Sequence, residues 1–148
     1  MYVCCVMHLL IYLLIFTFQQ ENHNNVDKKS LALEGYDPVT YFNESPALGS
    51  EGNQVNYKGS VYYFSSKESK KMFTETPEKY IPQYGGWCAY ALGLGPDKVK
   101  INPETYKIID GKLYLFYDFK GTNTLTLWDE AETNLQKQAD LNWIKITK

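Results

Sequence analysis

The chain has 148 residues, a formal charge of −2 and a mean hydropathy of −0.41, which is enough for one domain with a real core and too little for two. All fifteen basic residues are lysines, spread along the chain rather than gathered on one stripe. Without arginine's planar fork for phosphates and guanine edges, nucleic acid is excluded as the expected partner.

Val3 to Phe18 form an apolar run of sixteen residues without Asp, Glu, Lys or Arg, followed by the polar stretch QQENHNNVDKKS. A bilayer needs about 20 apolar residues, so the run better matches the apolar region of an export signal. No lysine or arginine precedes it, and no small-x-small cleavage site stands near Gln19 or Gln20, which keeps an uncleaved anchor as the alternative. Residues 1–20 are therefore expected as a signal peptide or membrane anchor, 21–32 as a linker and 33–148 as the domain. The expected location is extracytoplasmic, periplasmic or secreted, with membrane contact only through the N-terminal segment. Beyond this leader only Cys88 remains, so the domain must be stable without an intramolecular disulfide.

Asp37-Pro38 signals a turn or edge, with a short strand expected over Val39 to Phe42. Val55–Tyr57 and Val61–Phe64 flank Lys58-Gly59-Ser60, which predicts a hairpin. Ser65 with Glu68 three residues on has the spacing of a capping box, so a helix should run to about Thr74. Thr76-Pro77 starts another, which Pro82 and Gly85-Gly86 should break before it resumes at Trp87 and ends at Gly93 or Gly95. Tyr106–Ile109 and Lys112–Tyr117 bracket Asp110-Gly111, a second hairpin, and Leu113, Leu115 and Tyr117 alternate with Tyr114 and Phe116 to give a central strand apolar on both faces. Thr126 opens a final helix, with Trp128, Ala131, Leu135, Ala139, Asn142, Trp143 and Ile146 along one side. The order predicts an α+β domain: a small antiparallel sheet built from two hairpins, packed with a broken central helix pair and a C-terminal helix.

These blocks in this order, GYDPVTYF, YKGSVYYFSSKESKKMF, TPEKYIPQYGGWCAYAL, NPETYKIIDGKLYLFY and ADLNWIK, resemble the YHS domain family, in its free-standing exported form, over about residues 33 to 146. The resemblance implies a metal-binding role in relatives that carry a cysteine after Asp-Pro-Val and two more in an FCSxxC block. Here those positions are Thr40, Ser65 and Ser69, whose hydroxyls stay protonated at neutral pH and bind soft or borderline metals poorly. Caps and strand propensity account for the same three residues without any ligand.

The remaining candidates cluster around Cys88. At a helix start its thiolate would be stabilised, but Ala91 stands where a resolving cysteine would, and no histidine lies beyond residue 23 to act as a base. A buried inert thiol is the simpler reading. Tyrosine occurs eleven times in the domain; core packing explains most, while Tyr62 and Tyr84, with Trp87 and Cys88, are expected to line a pocket for a flat or sugar-like ligand. The leading expectation is a non-enzymatic binding or accessory domain with no catalytic residue and an unidentified small-molecule ligand. The alternatives are a copper or zinc protein with Cys88 as its residual ligand, and a thiol redox protein using Cys88.

Overall fold

The computed structural model describes residues 21–148, so the expected signal peptide or anchor over residues 1–20 lies outside the described residues. Among the described residues no helix is long and apolar enough to cross a membrane. The class is α+β. Strands β1 (Ser50–Tyr57) and β2 (Ser60–Phe64) form the first hairpin, followed by helices α1 (Lys67–Glu75) and α2 (Pro77–Tyr80). A 3-10 turn over Gln83–Gly86 leads into α3 (Ala89–Leu94); β3 (Asn102–Ile109) and β4 (Lys112–Phe116) make the second hairpin. The short pair β5 (Asp118–Phe119) and β6 (Thr122–Asn123) precedes α4 (Thr124–Asp129) and α5 (Glu132–Thr147).

The two hairpins form separate two-stranded sheets rather than one. Both turns are tight because their central residues take positive φ: Lys58 at 48° with Gly59 at 76°, and Asp110 at 50° with Gly111 at 72°. Two left-handed residues in succession match the right-handed twist of the flanking strands, which is why Gly holds the second position.

What joins the hairpins is β4. Leu113, Tyr114, Leu115 and Phe116 are all buried. The pleat sends Leu113 and Leu115 into one core with Tyr41, Phe64, Phe73 and Cys88, and Tyr114 and Phe116 into a second with Tyr84, Leu92, Trp128 and Ala139. One edge of β4 pairs with β3; the other takes parallel bridges from Pro82 to Leu113 and from Cys88 to Leu115. The alternation therefore makes β4 the wall between two cores.

Three elements depart from expectation. The strand anticipated over Val39–Phe42 is a 3-10 turn, Thr40–Asn43. The Asp37 carboxylate takes the Val39 amide at 3.0 Å, and the Thr40 hydroxyl donates to the Asp37 carbonyl at 2.7 Å, so side-chain bonds close the backbone into a turn. Helix α1 is capped by Ser66, whose Oγ accepts the Ser69 amide at 3.0 Å, and not by Ser65. The final helix is two: Asn123 caps α4, and Ala131, with φ −146° and ψ 32°, separates it from α5.

The polar stretch expected as a linker lies against the domain. The Asn25 amide donates to the Gly85 carbonyl at 2.8 Å, Asn24 donates to Ser60 Oγ at 2.9 Å, and the Ala32 amide donates to the Val61 carbonyl at 2.9 Å.

Candidate functional site

Two places gather polar chemistry. The first is centred on Asp37, which is fully buried. Its Oδ2 accepts from the Ser65 amide at 2.8 Å, the Ser65 hydroxyl at 2.8 Å and the Ser69 hydroxyl at 2.6 Å. Its Oδ1 accepts from the Val39 amide. Thr40 completes the turn from the other side: its Oγ1 accepts the Ala47 amide at 3.0 Å while donating to the Asp37 carbonyl. Thus the three positions at which the family resemblance implies thiolates do meet at Asp37: Ser65 and Ser69 on its buried carboxylate, and Thr40 on its backbone carbonyl.

These residues do not fit a metal. Thr40, Ser65 and Ser69 are neutral hydroxyls whose protons are already spent on Asp37. An ion here would have one carboxylate and no thiolate or imidazole, an oxygen set that suits neither copper nor zinc. Among the described residues, no three His, Cys, Asp or Glu side chains gather as a metal-holding group.

Cys88 sits elsewhere, at the residue before α3, with its side chain fully buried beside Leu115. The Thr124 hydroxyl donates to the Tyr117 carbonyl at 2.9 Å, which leaves Thr124 Oγ1 to accept the Cys88 thiol at 3.4 Å; the Tyr117 amide donates to Sγ at 3.3 Å. The sulfur is thus a packed core atom tying α3 to the end of β4 and the start of α4. Its hydrogen-bond partners among the described residues include no carboxylate, and it is closed to solvent.

The second place is a cleft of about 470 Å³ between the first hairpin, the Gln83–Gly86 turn and the C-terminal half of α5. Tyr62 and Tyr84 line it; Trp87 and Cys88 do not. Trp87 turns away, donating its indole N–H to the His23 carbonyl at 2.7 Å.

Local backbone geometry aims Tyr84. Tyr84, Gly85 and Gly86 have φ of 54°, 60° and 83°, a left-handed run that only the two glycines accept without strain. A Cβ on Gly85 would lie 2.7 Å from Asn24 Oδ1 and 2.9 Å from the Trp143 ring, so glycine also permits the close approach of the N-terminal segment and α5. The turn stacks the Tyr84 ring edge-on to Tyr114 and Trp143, at 5.7 and 6.4 Å between centroids, and lets its hydroxyl donate to Asp140 Oδ1 at 2.9 Å.

Burial, then the bond to Asp140, pushes the Tyr84 phenol well above its ordinary range, and burial pushes Tyr62 up to about 12. Both are therefore protonated donors at neutral pH rather than bases. At the mouth, Lys58 and Tyr57 share Glu78, and these bonds, Lys58 first, hold Glu78 below the usual carboxylate range. The cleft thus offers phenol hydroxyls, the Asp140 carboxylate, amides from Asn24 and Gln83, and the faces of Trp143 and Ile81.

The sequence marks Asp37 only as a turn residue and does not single out Asp140. The hidden signal for Asp37 was positional: if three family cysteine positions share one site, an acid in the same block belongs beside them. Nothing local pointed to Asp140, because its partner lies 56 residues away.

No curated protein and no solved structure matches the chain. The first hairpin, α1, α2 and the start of the turn that aims Tyr84, through Tyr84 itself, fall within residues 41–84, which match the family model of the YHS domain.

Proposed function

We propose that this protein is an exported or membrane-tethered, non-enzymatic binding domain that holds a small flat or sugar-like ligand in the cleft lined by Tyr62, Tyr84 and Asp140. The observation that carries the reading is the Tyr84–Asp140 pair set beside the Trp143 ring. An aromatic face next to a fixed hydroxyl and a carboxylate is the combination that stacks on a sugar or flat ring and orients its hydroxyls. Binding rather than reaction is favoured because the phenols are held protonated and the one thiol of the domain is packed away from the cleft. Export or tethering is supported by the apolar run Val3–Phe18.

Phenyl β-glucoside combines both ligand features and serves as the probe. Titrated into the isotope-labelled full-length protein, it should shift amide resonances of residues 57–62, 81–85 and 140–144, and Asp140→Ala should weaken binding at least tenfold. Shifts elsewhere, or none up to millimolar probe, would defeat the cleft as a binding site. Intact mass of the protein purified from membrane and extracytoplasmic fractions tests the location. A full-length species found only in the cytoplasm would defeat export.

A further inference from the structure

We infer that Asp37 is the hub of a metal-independent clasp, in which a carboxylate and two serine hydroxyls cross-link three segments at the place where the family's ion would be expected. The segments are the turn that begins at Asp37, the end of β2 through Ser65, and the first turn of α1 through Ser69.

Four hydrogen bonds converge on the two carboxylate oxygens, three of them on Oδ2, and all the donors are neutral. Among the described residues Asp37 joins no ion pair, and no buried side-chain nitrogen or oxygen lacks a hydrogen-bond partner. A buried carboxylate held only by neutral donors persists when those donors are fixed in place beforehand. Here they are: Ser65 supplies both its amide and its hydroxyl, and Ser69 sits in a helix turn locked by the Ser66 cap. Two consecutive elements, each about thirty residues along the chain from Asp37, are thereby held to one of its atoms, which is what a bridging ion does in a small domain.

The hydroxyl protons are integral to this arrangement. An ion could enter only by displacing them, and alcohols do not lose protons to copper or zinc at neutral pH under such a donor set. The clasp and a metal centre are therefore mutually exclusive descriptions of the same residues.

The test uses the full-length protein. Its thermal midpoint is expected to stay within 1 °C, on the order of measurement error, on adding EDTA or one equivalent of zinc or copper. Ser69→Ala should lower the folded-to-unfolded ratio by roughly tenfold or more, the size of one hydrogen bond to a charged group, and should do so far less in an Asp37→Asn background. If Asp37→Asn does not fold, Ser65→Ala combined with Ser69→Ala reports the same coupling through the shared Oδ2, and the two losses should not add. Tight uptake of one equivalent of zinc or copper that is abolished by Ser69→Ala overturns the inference, as does a Ser69→Ala protein as stable as the natural one.

Discussion

At the scale of single residues, position in the fold decides what a reactive group can do. Cys88 has the sequence context of an activated thiol, at the residue preceding a helix, yet its sulfur is buried and bonded to the Tyr117 amide and the Thr124 hydroxyl. A thiol must be reached before it can react, so native protein should resist an aromatic disulfide reagent and react only as fast as the domain opens. Adding denaturant through the unfolding transition should raise the rate in step with the unfolded fraction. Rapid stoichiometric labelling of native protein would show instead that the thiol is accessible. Replacing Cys88 with Ala should cost about 1–2 kcal/mol, since it deletes one sulfur-sized group from a closed core and leaves the Tyr117 amide without its partner. Asp37 shows the converse. Turn chemistry does explain its position in the chain, but the same side chain serves as an acceptor for residues about thirty positions away.

At the scale of elements, the junction between α3 and α5 is a close one, and it depends on a glycine. A Cβ on Gly93 would lie 2.9 Å from Leu135 Cδ2 and 3.0 Å from the Leu135 carbonyl oxygen. The carbonyl is helix backbone and cannot swing aside as a side-chain end can, so Gly93→Ala should push the helices apart and cost about 1–3 kcal/mol, read as a lower urea midpoint. Ala is the better helix former by roughly 1 kcal/mol, which makes the sign of the result informative: stabilisation would mean that α5 moves away freely. The same junction carries Asn142, whose buried amide donates to the Leu92 carbonyl at 2.8 Å and satisfies one of the acceptors left open at the end of α3. Docking of α5 in turn fixes Asp140 and Trp143 on one wall of the cleft. The i, i+3 and i, i+4 spacing of Leu135, Ala139, Asn142 and Ile146 was visible in the sequence because the helical period is local. The break at Ala131 was not, since no proline or glycine marks it.

For the whole molecule, the hairpins and the two-faced strand could be read from the chain because turn residues and a period of two are written in neighbouring positions. The convergence of Ser65 and Ser69 on Asp37, and of Tyr84 on Asp140, could not, because each joins segments that only the tertiary fold brings together. Core tyrosines make the molecule sensitive to alkali in a way that follows from that same burial. Tyr41, Tyr62 and Tyr84 all have phenols raised above their ordinary value near 10, chiefly by desolvation, and Tyr62 reaches about 12. A group that holds its proton more tightly folded than unfolded stabilises the fold fully below the unfolded value, and that contribution disappears as pH rises toward the folded one. Between about pH 10 and 12, Tyr62 alone should therefore remove on the order of 2–3 kcal/mol, with Tyr41 and Tyr84 adding to the loss. Absorbance at the phenolate band should show the exposed tyrosines titrating first and the buried set appearing together with the loss of near-ultraviolet circular dichroism. Replacing Tyr62 with Phe should flatten the pH dependence over that window while leaving neutral stability little changed. If all the tyrosines ionise in one step near 10 with the fold intact, the phenols are wetter than their burial implies, and the donors assigned to the cleft would have to be reassigned with them.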